Sequence, residues 1–404
     1  MRGPLPGIAL VLTTAGFLCL PALADDSAPV TATTTAIDAA APETQTPPPT
    51  PPKSPDAVPA PKPAAGLPPV QIKVSDTVNF RFGVLLQSQA DFLQTPAGGY
   101  VENVFVRRAR FIVAGQVAKQ VFFFFQTENS RLGFANAAGA KGLGSGFQTA
   151  DFDVEWRFSK PLNLWAGLIY LPTSREALKA SGSEFMIDTN TYTYTATTAL
   201  AGSLGRDTGV MARGYFLSDH LEYRAGLFQG LRDAASRNPF REIARVQYNV
   251  FDTEVYNFPS FPGSYFGTKK ILALGAAYDA QKSYKGPTAD VYADFPTMFG
   301  SALGTITYQR LDGRKFVAAL PKSNCFVVDG GLFFKGSKLG PWARYEKRNF
   351  AAPNSARNEK RALIGLNYYP FGNNFNFKTA FGRFSPAVGK KANQFTVQMQ
   401  ASYF

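Results

Sequence analysis

Arg108 and Arg110 stand two residues apart, so they share one side of an extended chain, while Phe105, Ala109, Phe111 and Val113 take the other. The arrangement recurs along the sequence. Arg81 opposes Val and Phe, Arg224 opposes Tyr223, Ala225 and Leu227, and Arg241 with Arg245 opposes Ala244, Val246 and Tyr248. Arg344 shares a phase with Glu346 and Arg348, and Lys378 with Asn376 opposes Phe375, Phe377 and Phe381. Arg107 breaks the apolar phase, which places it at a rim, at a constriction, or on a bulge that turns inward. Guanidinium groups offer planar, two-point hydrogen bonds to oxyanions and keep their charge at any physiological pH. Such a set points to anion coordination along a polar wall. Asp151, Asp153, Glu155, Glu222 and Glu346 lie in the same polar phase and are available to pair with several of these cations.

Acid–base catalysis is poorly served. The one histidine, His220, sits in the turn-like Ser218-Asp219-His220, and no nucleophile–base set or metal-ligand spacing assembles around it, so neither an enzyme nor a metal or cofactor site is expected. Nucleic-acid binding lacks a basic helix or a zinc spacing.

The elements that carry these residues read as strands. Asp151, Asp153, Glu155 and Arg157 alternate with Phe152, Val154, Trp156 and Phe158, a charged face backed by an aromatic one. After the Ser159-Lys160-Pro161 turn, Leu162, Leu164, Ala166, Leu168 and Tyr170 return along the apolar face. The rhythm begins near Val78, passes through 104–116 and 121–128, and continues near 208–217, 220–231, 241–252, 269–280, 288–296, 303–312, 325–336, 339–350, 358–370, 374–384 and 393–404. Short connections alternate with long ones such as 172–205 and 253–268. The fold class expected is all-β, a transmembrane antiparallel β-barrel of about 16 strands. Thr189 to Leu200 is open between a loop and a further strand, and Phe122 to Phe125 between a girdle, a subunit interface and a soluble core. The chain ends FTVQMQASYF, with Phe395, Val397, Met399, Ala401 and Tyr403 on one face. Phe404 is out of phase with that face; a bulge near Ala401 would restore it, whereas regular pairing to the end leaves Tyr403 as the lipid-facing residue.

Composition agrees. Aromatic residues make up 14% of the chain, with 36 Phe and 17 Tyr, and the only long apolar run lies at the start, which excludes a helical membrane protein. Residues 1–24 read as a signal peptide with Ala22-Leu23-Ala24 at the cleavage site, and 25–70 as a disordered Pro-, Ala- and Thr-rich linker. The barrel is assigned to 71–404. Of the net charge of +13, Arg2 supplies +1 and the linker −3, so 71–404 carries +15 and calls for an anionic partner. Cys325, the one cysteine beyond the signal, has no partner for a disulfide and is expected to be buried or lipid-facing.

With these residues placed, Phe105 to Gly115, FVRRARFIVAG, resembles the Arg-Arg-Ala-Arg strand of the phosphate-selective porins, the porin O and P family. Residues 166–178, AGLIYLPTSREAL, are similar to its Gly-x-x-Lys-x-Pro-x-x-x-Glu segment, with Pro172 and Glu176 kept and Tyr170 in place of Lys. Arg206-Asp207-Thr208-Gly209-Val210 with Gly214, then Leu221, Tyr223, Gly226, Phe228 and Gly230, resembles its central block, and Gly365 to Tyr369 its penultimate hairpin. The likeness covers the chain from about residue 76 to the end. It implies a trimeric barrel of sixteen strands in which arginines and lysines line a path for phosphate or other small anions. Many members begin with a short coiled coil, where this chain has the Pro-rich segment. The expectation is thus an outer-membrane, anion-preferring channel for passive diffusion, with outer-membrane lipid around it and a cell-wall contact open to the linker. The alternative is a structural or adhesive barrel of little conductance.

Overall fold

The computed structural model describes residues 70–404, apart from 96, 137, 145 and 256–259. The signal and linker segments assigned to 1–24 and 25–70 lie outside the described residues, Val70 excepted. A short strand, β1 (Val70–Lys73), precedes β2 (Asn79–Gln94), β3 (Tyr100–Ala118), β4 (Val121–Leu132), β5 (Gln148–Ser159) and β6 (Leu162–Tyr170). Then come β7 (Arg206–Phe216), β8 (Leu221–Phe228), β9 (Arg241–Asn249), β10 (Ile271–Gln281), β11 (Tyr284–Thr297) and β12 (Gly300–Leu311). The last are β13 (Ser323–Phe334), β14 (Leu339–Phe350), β15 (Glu359–Phe371), β16 (Phe375–Pro386) and β17 (Ala392–Tyr403). From β2 to β17 each strand pairs antiparallel with the next, and β17 pairs back onto β2, so these sixteen strands close a barrel.

Closure follows from the alternation. Phe152, Val154, Trp156, Val210, Ile306, Ile364 and Phe381 are exposed on the outside, while Asp151, Asp153, Glu155, Arg213, Arg344 and Asn367 are buried on the inside. A wall with that polarity has apolar surface for lipid, and closing it leaves no backbone edge unpaired. The four-Phe run obeys the same rule. Phe123 and Phe125 pair with outward Val154 and Phe152, and Phe122 and Phe124 pair with inward Glu155 and Asp153.

Thr189 to Leu200 is loop, with one short helix, α1 (Thr195–Ala199), whose Ala196 packs with Tyr192 and Leu200 against Cys325 and Val327 of β13. Cys325 is buried there. The expected alternation of short and long connections fails in one stretch. The segment 250–270 joins β9 to β10 at the end of the barrel where every other turn is short, and the β10–β11 connection at the opposite end is a tight turn at 282–283.

At the seam, β17 pairs with β2 without a shift from Gln394 to Tyr403, so no bulge intervenes and Tyr403 faces outward opposite Val84. Phe404 therefore turns inward, its ring edge-on to Phe124 and 4.3 Å beneath the Arg81 guanidinium. Beyond Tyr403, β1 takes up the same edge of β2, with Val70 opposite Phe82. Gly83 makes this join possible: a Cβ there would lie 2.6 Å from the Tyr403 carbonyl oxygen and 2.8 Å from Phe404 Cβ. Gly83→Ala is expected to destabilise the closed barrel by about 1–3 kcal/mol. The fraction of refolded chains that migrate as the compact, heat-modifiable form should fall, and an unchanged fraction would show that the seam tolerates the methyl group.

Candidate functional site

The bore is crossed by two connections that arrive from opposite ends. Residues 171–205, between β6 and β7, run inward and are buried for much of their length, with Leu171, Arg175, Glu176 and Leu178 almost wholly enclosed. The loop is pinned to the far wall: Asn367 Nδ2 donates to the Phe185 carbonyl at 2.6 Å, Tyr369 Oη to the same carbonyl at 3.0 Å, and Gln400 Nε2 to the Gly182 carbonyl at 2.7 Å. The segment 250–270 meets it from the short-turn end. Phe261 N donates to the Leu178 carbonyl at 2.7 Å and Ala180 N to the Phe261 carbonyl at 2.9 Å, a parallel bridge between the two loops. Beside the bridge the Arg175 guanidinium donates to both Glu254 oxygens at 2.6 Å, with neither side chain exposed at all. Gln247 Nε2 and Tyr265 Oη also donate to Glu254, at 2.9 and 2.5 Å. The lone pairs of this buried carboxylate are thus occupied, which is the condition for a buried ion pair to persist.

The candidate anion-path residues all face this bore. Arg107 is the extra residue of a β-bulge, since Gln87 pairs with Arg108 and Ser88 with Val106. The bulge turns Arg107 and Arg108 to the same side, and both reach Asp188 on the 171–205 loop at 2.7 Å. It also flips the phase of Phe105, expected opposite Arg108, which pairs with Gln89 and is buried inside against Phe134. Arg110 donates to Glu128 through Nε at 2.8 Å. Three guanidinium groups thus stand against two carboxylates.

Elsewhere the pairing is closer to even. Arg241 forks onto Asp279 at 2.8 and 2.6 Å, and Arg245 onto Asp290 at 2.7 Å through both nitrogens. Arg224 shares Glu222 with Arg213, at 3.0 and 2.6 Å. Arg344 lies 3.3 Å from Asp329 and 3.7 Å from Glu176 and donates to the Asp188 carbonyl at 2.6 Å. Lys378 donates to the Glu184 and Met186 carbonyls, so it holds the loop by its backbone. Arg81 is half-buried, its guanidinium over the Phe404 ring, and has no carboxylate within ion-pair distance among the described residues.

Arg175, Arg206 and Arg213 also point into the bore but are not among the anion-path candidates, although Arg206 opens the block that resembles the porin O and P family. Arg206 forks onto Asp151 at 3.0 Å over the Tyr170 ring, and Arg213, Arg224 and Arg245 occupy one row across β7, β8 and β9. Arg213 had a readable signal, because it alternates with outward Val210, Ala212 and Phe216. Arg175 had none, since it lies in a loop. His220 stands in the 217–220 turn with Nδ1 2.5 Å from the Asn249 carbonyl. Among the described residues no group of three or more His, Cys, Asp or Glu is placed to hold a metal ion.

No protein-family model matches the chain, and no curated protein matches it. Solved structures do. The anion-selective porin from Comamonas acidovorans aligns over 81% of this chain and 100% of its own, at 10% identity and a TM-score of 0.54. The outer membrane channel DcaP of Acinetobacter baumannii aligns over 82% and 99%, at 12% identity and 0.53, and Salmonella typhi OmpF over 83% and 100%, at 13% and 0.55. The fold is that of the outer-membrane porins. The chain is a multi-pass β-barrel of that membrane, with an apolar outer wall and a charged bore.

Two predictions follow from the interlocked loops. Glu254→Gln leaves Arg175 enclosed without its counter-charge, which costs about 3–5 kcal/mol. The thermal midpoint should fall and current through single barrels in a planar bilayer should become larger or noisier; a quiet, unchanged current would mean the pair does not hold the loops.

The second concerns pH. Lys179 Nζ lies 2.6 Å from Glu176 and 2.9 Å from Glu184, and Arg344, 3.7 Å from Glu176 and 4.0 Å from Glu184, is shared with Asp329 at 3.3 Å, so two cations serve three buried carboxylates. Burial, with Glu176 adding to it against the pull of Lys179, raises the Glu184 carboxyl to about 7. An acid that holds its proton more tightly in the folded state stabilises that state at low pH and loses the contribution as pH climbs through its folded value. Loop docking is therefore expected to be tighter at pH 5 than at pH 8, and Glu184→Gln should abolish the difference, both read as proteolytic nicking of 171–205.

Proposed function

We propose that this protein is a passive outer-membrane porin whose bore prefers small anions, phosphate among them. The observation that carries the reading is the cluster at the β3 bulge. Arg107, Arg108 and Arg110 face the bore against Asp188 and Glu128, and Asp188 hangs on the loop that crosses it. A surplus guanidinium at a crossing point attracts anions, and in partly dehydrated surroundings its field is stronger than it would be in water. The remaining candidates, Arg81, Arg224, Arg241, Arg245, Arg344 and Lys378, supply the wall field rather than direct contacts, because most of them are engaged by carboxylates or carbonyls.

The resemblance to the phosphate-selective porins supports phosphate as one of the anions, and the homotrimer belongs to the same proposal. Cleavage after Ala24 and a Pro-rich arm toward the cell wall complete it. No enzymatic step is part of it. One observation favours the structural alternative: loops that interlock from both ends of a bore oppose a wide aqueous path, as a barrel of little conductance requires.

A planar bilayer holding purified protein in a potassium chloride gradient separates these readings. An anion-favouring reversal potential is expected, and Arg108→Ala with Arg110→Ala should move it toward zero. A cation-favouring potential would sink the anion preference, and absence of conductance would favour the structural barrel.

A further inference from the structure

The charge surplus does not sit in the bore alone. Arg310 on β12, Lys347 on β14, Lys360 on β15 and Arg383 on β16 are all exposed and point outward, at the end of the barrel opposite its two termini. Outward phase is fixed by register: Tyr308, Phe326 and Lys347 fall in one row with Lys360, and Arg383 pairs with Ala362 in the next row. None of the four side chains has a hydrogen bond, ion pair or ring partner among the described residues. The outward positions around them are Asn324, Asn349 and Ser385; the nearest acid in the same phase is Asp312, just past the end of β12, which lies 3.8 Å from Arg314. The outward acids Glu102 and Glu242 are on β3 and β9, outside it.

Two physical features make this more than a solvated rim. Lys347 and Lys360 stand directly opposite each other on adjacent strands, where like charges repel at a Cα separation of about 5 Å. A wall selected only for stability would place an acid at one of them. Exposed Tyr308 and Phe326 stand in the row of Lys347 and Lys360, Tyr345 in the row of Arg383, and Phe381 one outward position nearer the middle of the wall, an aromatic band of the kind that marks the edge of the hydrocarbon layer. The four cations therefore stand at headgroup depth, spread over β12 to β16, about 19 Å at the usual strand spacing.

We propose that this arc is a docking belt for phosphate-bearing lipid headgroups of the outer leaflet. A phosphate seated between Lys347 and Lys360 turns their repulsion into two charge-assisted hydrogen bonds, and Arg310 and Arg383 flank it with fork-shaped donors suited to further phosphates. The acyl chains of the same lipid would lie along Phe326, Tyr345 and Ile364. The barrel's positive charge then serves its lipid boundary as well as its solutes.

The test uses the full-length protein in detergent with diphosphoryl lipid A as probe, and native mass spectrometry to count retained lipid. Wild type is expected to retain it, and to retain a dephosphorylated preparation at least tenfold less, the order expected when charge-assisted hydrogen bonds are lost. The triple variant Lys347→Gln, Lys360→Gln, Arg383→Gln should lose that preference while keeping heat-modifiable migration. A control lacking three cations at the short-turn end, Lys119→Gln, Lys160→Gln, Lys335→Gln, should keep it. The belt is refuted if wild type does not distinguish the two lipids, if the control variant loses as much, or if millimolar inorganic phosphate displaces the lipid completely. A further readout needs no lipid. Lys360→Glu pairs with Lys347 and should raise the thermal midpoint in lipid-free detergent while lowering lipid retention, and a lowered midpoint would count against the repulsion on which the belt rests.

Discussion

Everything in this molecule depends on closing one sheet without leaving a backbone edge. In lipid an unpaired peptide group has no water to turn to, so β17 must find β2, and the whole wall must then present apolar side chains outward. The seam achieves this with Gly83, whose missing side chain admits Phe404, and with β1, which continues the ladder beyond the last paired residue of β17. Closure also decides where the polar residues go. A chain that spends its apolar positions on the outside has charged ones left for the bore, and those must be satisfied there.

Satisfaction in the bore is largely a matter of pairs that the sequence separates widely. Arg241 and Asp279 are on adjacent strands yet 38 residues apart, Arg245 and Asp290 sit 45 apart, and Arg108 reaches Asp188 across 80. Each arginine was placed on its face by the period of two, which is a local property and was legible. Its partner was not, because partnership is set by register and by the path of a loop. Asp188 and Glu254 illustrate the limit: both lie in segments without periodicity, and both hold arginines that decide how the bore is crossed.

The strands themselves were the most readable part, since lipid outside and polar groups inside impose the same alternation on all of them. Departures occur where a single residue changes the count. One extra residue at Arg107 shifts the phase of everything before it on β3, which is why Phe105 lies inside although simple alternation sends it out. The 250–270 segment was recognisable as a long connection, but its end of the barrel follows only from counting strands, and its inward course rests on Phe261 finding the Leu178 backbone. Phe404 was left open between two geometries, and the unshifted pairing up to Tyr403 chooses the one in which the terminal ring turns inward, half-buried against Arg81.

Net charge is the feature most easily misread. A surplus of +15 over 71–404 suggests a strongly positive channel, yet most inward arginines have a carboxylate or carbonyl within hydrogen-bond distance. Inside a narrow, partly dehydrated bore an unpaired cation is costly, so inward arginines and acids accumulate together. On the outer rim solvent reaches each charge, so an unpaired cation costs less there than in the bore, although Lys347 and Lys360, directly opposed, still repel. The surplus therefore gathers where it is cheapest to keep. Selectivity in such a barrel cannot be inferred from its total charge; it rests on the few places where the pairing inside is uneven, and the bulge that brings Arg107 beside Arg108 is one of them.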